Sequence, residues 1–294
     1  MKVNWLHTTE YPFQSRFFEV NGQRLHYIDE GAGEIMLFVH GTPSWSFDYR
    51  NVIKRLSTSY RCMAIDHIGF GLSSKPEHYD YSTVNHSQTL SAFILEKNLS
   101  NITLVVHDFG GPIGLNMAIN HPERIKNIVI LNSWLWSSTQ EPEYIKLSRI
   151  LKSPLLPVLY RYFNFSPKFI LPQSFGEKKL SKALRSQFTK PFANKSQRNG
   201  TLAFARSLLN DQEWFEELWQ QRHILAEKPV LLIWGMKDKF ITPAYLQKFA
   251  SGFPDAYVVE LPTCGHFPQE EEPEKVADAI RSFVKDRKYS QPAQ

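Results

Sequence analysis

Residues 102–111 read ITLVVHDFGG, and this stretch decides the fold of the chain. The aliphatic, β-branched run from Ile102 to Val106 predicts a buried strand, and the two glycines that close the stretch begin a helical pattern running to about residue 118. A strand that turns sharply into a helix, with small residues beside the turn, has the form of a nucleophile elbow. Asp108 stands at the tip of this predicted turn.

An aspartate at the tip changes the expected chemistry. The carboxylate of Asp108 is unsuited to acyl transfer of the serine type, but it can displace a leaving group from an sp³ carbon and form an alkyl ester. This single residue therefore favours the opening of carbon–halogen bonds or epoxides over the cleavage of esters.

Two further ionisable residues follow predicted strands in the same way. Asp238 comes after the apolar run at 229–234, and His266 comes after the run at 256–261. In open α/β sheets the functional groups gather outside the carboxyl ends of the strands. The order along the chain, nucleophile then acid then histidine, is that of α/β-hydrolases. The sequence therefore predicts a catalytic triad of Asp108, Asp238 and His266.

The predicted roles follow from the ionisation of these groups. Because Asp108 is already charged, His266 serves the second step, as general base on a water that attacks the ester carbonyl. Asp238 accepts the other imidazole N–H and stabilises the imidazolium. We expect the backbone N–H groups of Phe109 and Thr42 to form the oxyanion hole. This chemistry requires no metal ion and no organic cofactor.

Strand and helix patterns alternate along most of the chain, which predicts an α/β fold with a mostly parallel, eight-stranded sheet and helices on both faces. Asn21-Gly22 between residues 15–20 and 24–29 predicts a type I′ hairpin. The alternation stops at 134–212, a segment far longer than an ordinary loop. We predict an α/β-hydrolase core domain of residues 1–133 and 213–294, with residues 134–212 inserted as a helical cap domain.

The composition is that of an ordinary globular protein, with 294 residues of which 42% are hydrophobic and 21% charged. No apolar run approaches the roughly 18–20 residues that span a bilayer, and no zinc spacing or basic-aromatic repeat indicates nucleic-acid binding. Cys62 and Cys264 form no disulfide framework. We expect a cytoplasmic monomer or homodimer that binds a small hydrophobic substrate between its domains, and neither nucleic acid nor a membrane.

The formal net charge of +5 is unevenly distributed. Residues 141–210 contain 13 Lys and Arg against 3 Asp and Glu, a net charge of +10, so the remainder is near −5. We interpret this basic stretch as a solvated, Lys-rich surface. Attraction of an anionic substrate, product or surface is the alternative.

Three motifs resemble signatures of the haloalkane dehalogenase branch of the α/β-hydrolases: HGTPSWSF at 40–47, GFGLS at 69–73 and DFGGPIGL at 108–115. The likeness runs over nearly the whole chain. WGMKD at 234–238 is similar to the subgroups whose triad acid follows the seventh strand. In another subgroup the acid follows the sixth strand, where this chain has Asn132, so the resemblance implies Asp238 as the acid.

Two positions depart from the pattern of that family. It usually has Trp directly after the nucleophile, where the indole N–H binds the departing halide, and Asn or Glu after the His-Gly pair. This chain has Phe109, which has no donor, and Thr42, whose hydroxyl is shorter. One lost donor of this kind costs roughly 3–4 kcal/mol. Trp134, Trp136 and the residues of the cap are the candidates to replace it.

Three other functions stay open. Epoxide hydrolases share the Asp nucleophile and polarise the leaving oxygen with cap tyrosines, for which Tyr144, Tyr160 and Tyr162 are available. A small hydrolysis such as that of a lactone would use the same residues. A hydrolase-fold binding protein without catalysis usually lacks a triad member, whereas all three are present here. An Asp108→Asn variant would separate catalysis from binding.

Overall fold

The computed structural model describes residues 3–285, apart from the side chains of residues 142 and 143. Its centre is an eight-stranded sheet in the order β1-β2-β4-β3-β5-β6-β7-β8. The strands are β1 Arg16–Val20, β2 Gln23–Glu30, β3 Ile35–Val39, β4 Arg61–Ile65, β5 Ile102–Asp108, β6 Ile125–Ser133, β7 Val230–Gly235 and β8 Tyr257–Leu261.

Helices cover both faces of the sheet and fill the long connection between β6 and β7. They are α1 Arg50–Leu56, α2 Thr83–Glu96, α3 Gly110–Asn120, α4 Pro142–Leu151, α5 Leu156–Phe163, α6 Leu171–Gln173, α7 Lys182–Thr189, α8 Asn199–Asn210, α9 Gln212–Gln221, α10 Pro243–Gly252, α11 Pro268–Glu271 and α12 Pro273–Lys285. A π-helical turn, Ser166–Ile170, leads into α6.

The pairing of the strands confirms the predicted mostly parallel sheet. β2 pairs antiparallel with β1 and β4, and every other pair is parallel. Asn21 and Gly22 adopt left-handed backbone angles, with φ of 50° and 72°, as a type I′ turn requires. Parallel strands end at the same edge, so the segments after β3, β5, β7 and β8 meet there.

β5 lies at the middle of the sheet, between β3 and β6, and all its residues are buried. The chain then reverses at Asp108, whose φ of 51° lies in the left-handed region. The turn is so tight that a Cβ at Gly110 would overlap the backbone carbonyl of Val39 on β3. The small residues after Asp108 are therefore needed for α3 to begin directly against the sheet.

The connection from β6 to β7 contains only helices and turns. α4 and α5 pack on α8 through a small apolar cluster of Leu151, Leu156, Tyr160, Leu202 and Ala205. α9 contacts α3 of the core. The domain boundaries at 133/134 and 212/213 stay a prediction, and residues 1–2 and 286–294 of the predicted core domain lie outside the described residues.

Within residues 3–285, no helix is long and apolar enough to cross a membrane.

Candidate active site

The structure brings the three predicted triad residues together. Asp108 ends β5, Asp238 follows β7 and His266 follows β8. Nδ1 of His266 lies 2.6 Å from Oδ2 of Asp238, and Nε2 lies 3.4 Å from Oδ2 of Asp108. All three residues are buried. One imidazole therefore connects two carboxylates. With this geometry Asp238 can orient the ring from Nδ1 while Nε2 takes a proton beside Asp108.

The carboxylate of Asp108 is held by a predicted backbone donor on one side and by the histidine on the other. The N–H of Thr42 donates to Oδ1 at 2.7 Å, and Oδ2 faces His266. Burial alone would raise the pKa of Asp108, but His266, with smaller contributions from His107 and the N–H of Phe109, outweighs burial and lowers it.

His266 is held in its charged form in the resting site. Burial opposes the imidazolium, but the negative charges of Asp238 and Asp108 outweigh burial and raise the pKa of His266 well above its ordinary value. The two carboxylates therefore share one cation between them.

Asn132 contacts the predicted acid, although its place in the sequence indicated only that no acid follows the sixth strand. Its Nδ2 donates to Oδ2 of Asp238 at 2.9 Å, and its Oδ1 accepts the N–H of Gly235 at 2.8 Å. The N–H groups of Phe240 and Ile241 donate to the other oxygen of Asp238. Asn132 thus positions the acid from the neighbouring strand. The signal was its location, where another subgroup carries its triad acid.

The loop that carries His266 is fixed from two sides. His107, the residue before Asp108, donates from Nε2 to the carbonyl of His266 at 2.6 Å. Burial lowers the pKa of His107 to about 3, so it is neutral and retains a proton on only one nitrogen. On the other side, the N–H of His266 donates to the carbonyl of Ser174 at 2.8 Å.

Glu271 joins the same loop to the helical segment before β7. Its carboxylate accepts the N–H of Gly265 at 2.7 Å and the N–H of Gly176 at 2.9 Å. Glu271 is buried, and burial raises its pKa to about 7 against these hydrogen bonds, which lower it. No motif in the sequence marked this residue.

A cavity of about 400 Å³ opens beside Asp108. The core contributes Thr42, Phe109 and His266 to its wall. The helices between β6 and β7 contribute mainly apolar side chains: Leu147, Ile150, Leu151, Leu156, Phe165, Ile170, Ala205 and Leu208. Lys146 and Lys239 also line the cavity and are exposed, so they lie towards its mouth. Such a site suits an apolar substrate with a few polar contacts.

Three of the five predicted leaving-group residues, Trp134, Tyr144 and Tyr160, line this cavity. The ring of Phe109 packs against Trp134 at 4.8 Å and against Phe204 at 4.7 Å between ring centroids. Thr42 lines the cavity too, and its hydroxyl is buried without a hydrogen-bond partner among the described residues. An unpaired buried hydroxyl beside Asp108 is a donor available to a ligand.

The predictions for Trp136 and Tyr162 are corrected by their positions. Trp136 is buried away from the cavity, where its indole N–H donates to Glu141 at 3.3 Å and its ring packs on Trp219 and Phe249. Tyr162 points outward from α5 and is 64% exposed. The aromatic composition of the segment could not distinguish inner from outer faces of these helices.

Over residues 3–285, no group of three or more His, Cys, Asp or Glu side chains is arranged to hold a metal ion.

Comparison with known proteins agrees with the observed fold. The family described as alpha/beta hydrolase fold matches residues 34–273. Haloalkane dehalogenase 2 of Mycobacterium tuberculosis is 34% identical over 274 residues, which are 92% of this chain and 94% of that protein. A cis-3-alkyl-4-alkyloxetan-2-one decarboxylase of Shewanella oneidensis is 36% identical over 282 residues, 93% of this chain and 89% of that protein.

Among solved structures, the haloalkane dehalogenase DatA from Agrobacterium tumefaciens superposes with a TM-score of 0.85 at 25% identity. The match covers 95% of this chain and 99% of that one. These relatives confirm the resemblance that the motifs predicted.

Proposed function

The chain belongs to the α/β-hydrolase family, and we propose that it cleaves a carbon–halogen bond in an apolar substrate through a covalent ester on Asp108. One observation carries this proposal. The carboxylate of Asp108 lies between the N–H of Thr42 and His266, at the wall of a cavity lined mainly by apolar side chains. A carboxylate so placed attacks a carbon held in the cavity.

In the first step, Oδ2 of Asp108 forms a bond to the substrate carbon while the carbon–halogen bond breaks and the halide leaves with the electron pair. Oδ1 stays bound to the N–H of Thr42, which orients the carboxylate. The product is an alkyl ester of Asp108 and a halide ion in the cavity.

In the second step, a water adds to Cγ of Asp108 while Nε2 of His266 takes its proton. Negative charge then develops on Oδ1, which already accepts the N–H of Thr42 at 2.7 Å. Esterification also removes the charge of Asp108, one of the two carboxylates that raise the pKa of His266. The first step therefore lowers this pKa, so that His266 releases its proton to solvent and can act as a base. When the adduct collapses, the bond between Cγ and the alkyl oxygen breaks and His266 returns the proton to that oxygen. The alcohol leaves, and the carboxyl of Asp108 passes its proton to His266, which restores the resting pair.

The departing halide requires a donor other than residue 109. The buried, unpaired hydroxyl of Thr42 and the indole of Trp134 both belong to the cavity wall. We propose that these two groups bind the halide, in place of the Trp and Asn pair of the dehalogenase family. The curated relatives named haloalkane dehalogenase support this substrate class for the chain.

A four-membered lactone is a second candidate substrate, and the lysines at the cavity favour it. If Asp108 attacks the ring carbon bonded to oxygen, the C–O bond breaks and the carboxylate released stays attached to the alkyl group. Lys146 and Lys239 line the cavity and offer this carboxylate a positive charge. The relative from Shewanella oneidensis is named for decarboxylation of such oxetan-2-ones.

We also propose that residues 134–212 act as a cap over the core, since their helices supply one wall of the cavity. Tyr144 and Tyr160 in that wall keep epoxide opening as a further candidate. Cys62 and Cys264 are free and buried, as in a reducing compartment, and we propose a cytoplasmic monomer or homodimer.

The test is intact-protein mass spectrometry of a His266→Ala variant incubated separately with a 1-bromoalkane, a terminal epoxide and a 3,4-dialkyl-oxetan-2-one. Without His266 the ester should persist, because the water lacks its base. We expect a mass gain equal to the alkyl group, with one bromide released per protein. A gain equal to the whole epoxide or the whole lactone assigns the chain to that substrate instead.

The matched control is the Asp108→Asn/His266→Ala double variant, which should gain no mass with any substrate. An adduct that persists in this control would place the nucleophile elsewhere. If the wild type turns over none of the three substrates and His266→Ala gains no mass, the proposed chemistry is wrong.

A further inference from the structure

The outer surface of the helices over the cavity exposes an unusual number of large apolar side chains. Among the described residues, most of the exposed large apolar side chains lie between 145 and 169. They include Leu155, Ile150 and Phe163, which are 64%, 59% and 54% exposed. Ile145, Val158, Tyr162 and Phe169 belong to the same surface. Soluble proteins rarely expose apolar side chains in such a group unless the surface contacts something. We call residues 145–169 the outer cap surface.

Positive charge is interleaved with these apolar side chains. Five basic residues lie in the outer cap surface and all are exposed: Lys146, Arg149, Lys152, Arg161 and Lys168. No Asp or Glu occurs between residues 144 and 170. Apolar side chains set among basic ones, without acidic neighbours in the sequence, are complementary to a surface that is apolar within and anionic at its boundary.

Helices α4 and α5, which carry most of this surface, have a second face that already packs against α8. Leu151 and Leu156 pack into the apolar cluster on α8 and line the cavity beside Asp108. The exposed residues on α4 and α5 therefore cannot be explained as part of that core. Lys146 and Ile150 are both exposed and members of the cavity wall, so the outer cap surface is continuous with the mouth of the cavity.

We propose that the outer cap surface docks on a bilayer that contains anionic phospholipid. Apolar side chains such as Leu155 and Phe163 enter the boundary between headgroups and acyl chains, and the five basic residues contact the headgroup phosphates. The protein then lies on the membrane without crossing it, which departs from the expectation from the sequence that the chain binds no membrane. Docking uses no residue of the triad and stands apart from the chemistry; only its benefit, delivery of apolar substrates to the cavity mouth, rests on the proposed function.

The experiment is flotation of the full chain with vesicles of phosphatidylcholine alone and of phosphatidylcholine mixed in equal parts with phosphatidylglycerol. An Asp108→Asn protein is used so that no turnover contributes. We expect binding to the mixed vesicles only, weakened by salt. Lys152→Gln with Arg161→Gln should weaken binding roughly 25-fold, at about fivefold for each basic residue. Leu155→Ser with Phe163→Ser should also release the protein.

The matched controls remove the same kinds of side chain elsewhere. Leu95→Ser with Ile224→Ser removes exposed apolar side chains from other helices, and Lys275→Gln with Lys285→Gln removes exposed charges from α12. Both controls should bind as the parent does. Absence of binding to the mixed vesicles, or equal loss in controls and outer-cap variants, would overturn the proposal. So would sedimentation velocity showing that the outer-cap substitutions dissociate a dimer, because a second copy would then cover this surface.

Discussion

Asn132 shows how much the type of a single residue can predict about this site. Its type excluded it as the acid, but did not predict the hydrogen bond from its side-chain amide to Asp238, which lies 106 positions away in the chain. The triad itself was predictable, because Asp108, Asp238 and His266 each follow an apolar run in a known order. Positioning bonds between strands leave no such local pattern.

Replacing Phe109 with Trp should supply the missing indole donor beside the nucleophile. We expect kcat/KM for bromoalkanes to rise by about tenfold or more, since one donor of this kind is worth 100–1000-fold at full geometry. Overpacking against Trp134 and Phe204 should cost about 1–3 kcal/mol of unfolding free energy. Bromide release and urea unfolding measure the two effects. Phe109→Leu, which adds no donor, is the control, and an equal gain there would refute the explanation.

Replacing Asp238 with Asn should shift the pH dependence of ester hydrolysis. The Asp238 carboxylate raises the pKa of His266, so its removal lowers that pKa. The neutral base then forms at lower pH, and the rising limb of the rate profile moves to lower pH while the maximum rate falls. Decay of the preformed ester in single-turnover mixing, followed against pH, measures both. A rising limb left in place would show that another group titrates.

At the scale of elements, the loop between β8 and α11 is held against the segment that follows α6. The N–H of Glu177 donates to the carbonyl of Thr263 at 3.0 Å, beside the bond from His266 to Ser174. A Cβ at Gly176 would overlap the backbone of this loop, so the two chains touch directly. Contacts of this kind join segments about 90 residues apart, and the helical patterns of the sequence could not place them.

Replacing Glu271 with Gln should loosen this junction. An amide offers one acceptor oxygen, so the N–H of Gly265 or of Gly176 loses its partner, at a cost of about 1–3 kcal/mol of unfolding free energy. We expect ester hydrolysis, which depends on His266, to slow more than alkylation of Asp108. Rapid-quench measurement of both steps tests this. Glu274→Gln, on the exposed part of α12, is the control.

A second readout follows from the pKa of Glu271. Its folded-state pKa of about 7 lies above the ordinary 4.5, so the folded protein binds the proton more tightly than the unfolded chain. Stability should therefore fall as pH rises between these two values, and Glu271→Gln should lack this part of the dependence. Equal slowing of both steps, with an unchanged pH dependence of unfolding, would contradict a positioning role.

For the whole molecule, the sequence predicted the strands, but it did not predict which side chains of the cap helices face the cavity. The hairpin at Asn21 and the run into Asp108 each carry a local signal of turn chemistry or burial, and the eight strands appear where those signals lie. In the aromatic segment after β6, Tyr160 faces the cavity while Tyr162 faces outward. The two tyrosines lie on one short helix and differ only in the direction in which they point. This direction is set by the packing of the helix on α8.

The left-handed backbone at Asp108 means that the proposed catalytic residue lowers the stability of the fold to heat. A φ of 51° carries a steric cost for a residue with a Cβ, and glycine avoids this cost. Selection of this chain for heat resistance alone can therefore accept Gly at position 108, and such variants would be folded but inactive. A selection for higher stability therefore has to measure turnover in every round, because the residue with this backbone strain is also the proposed nucleophile.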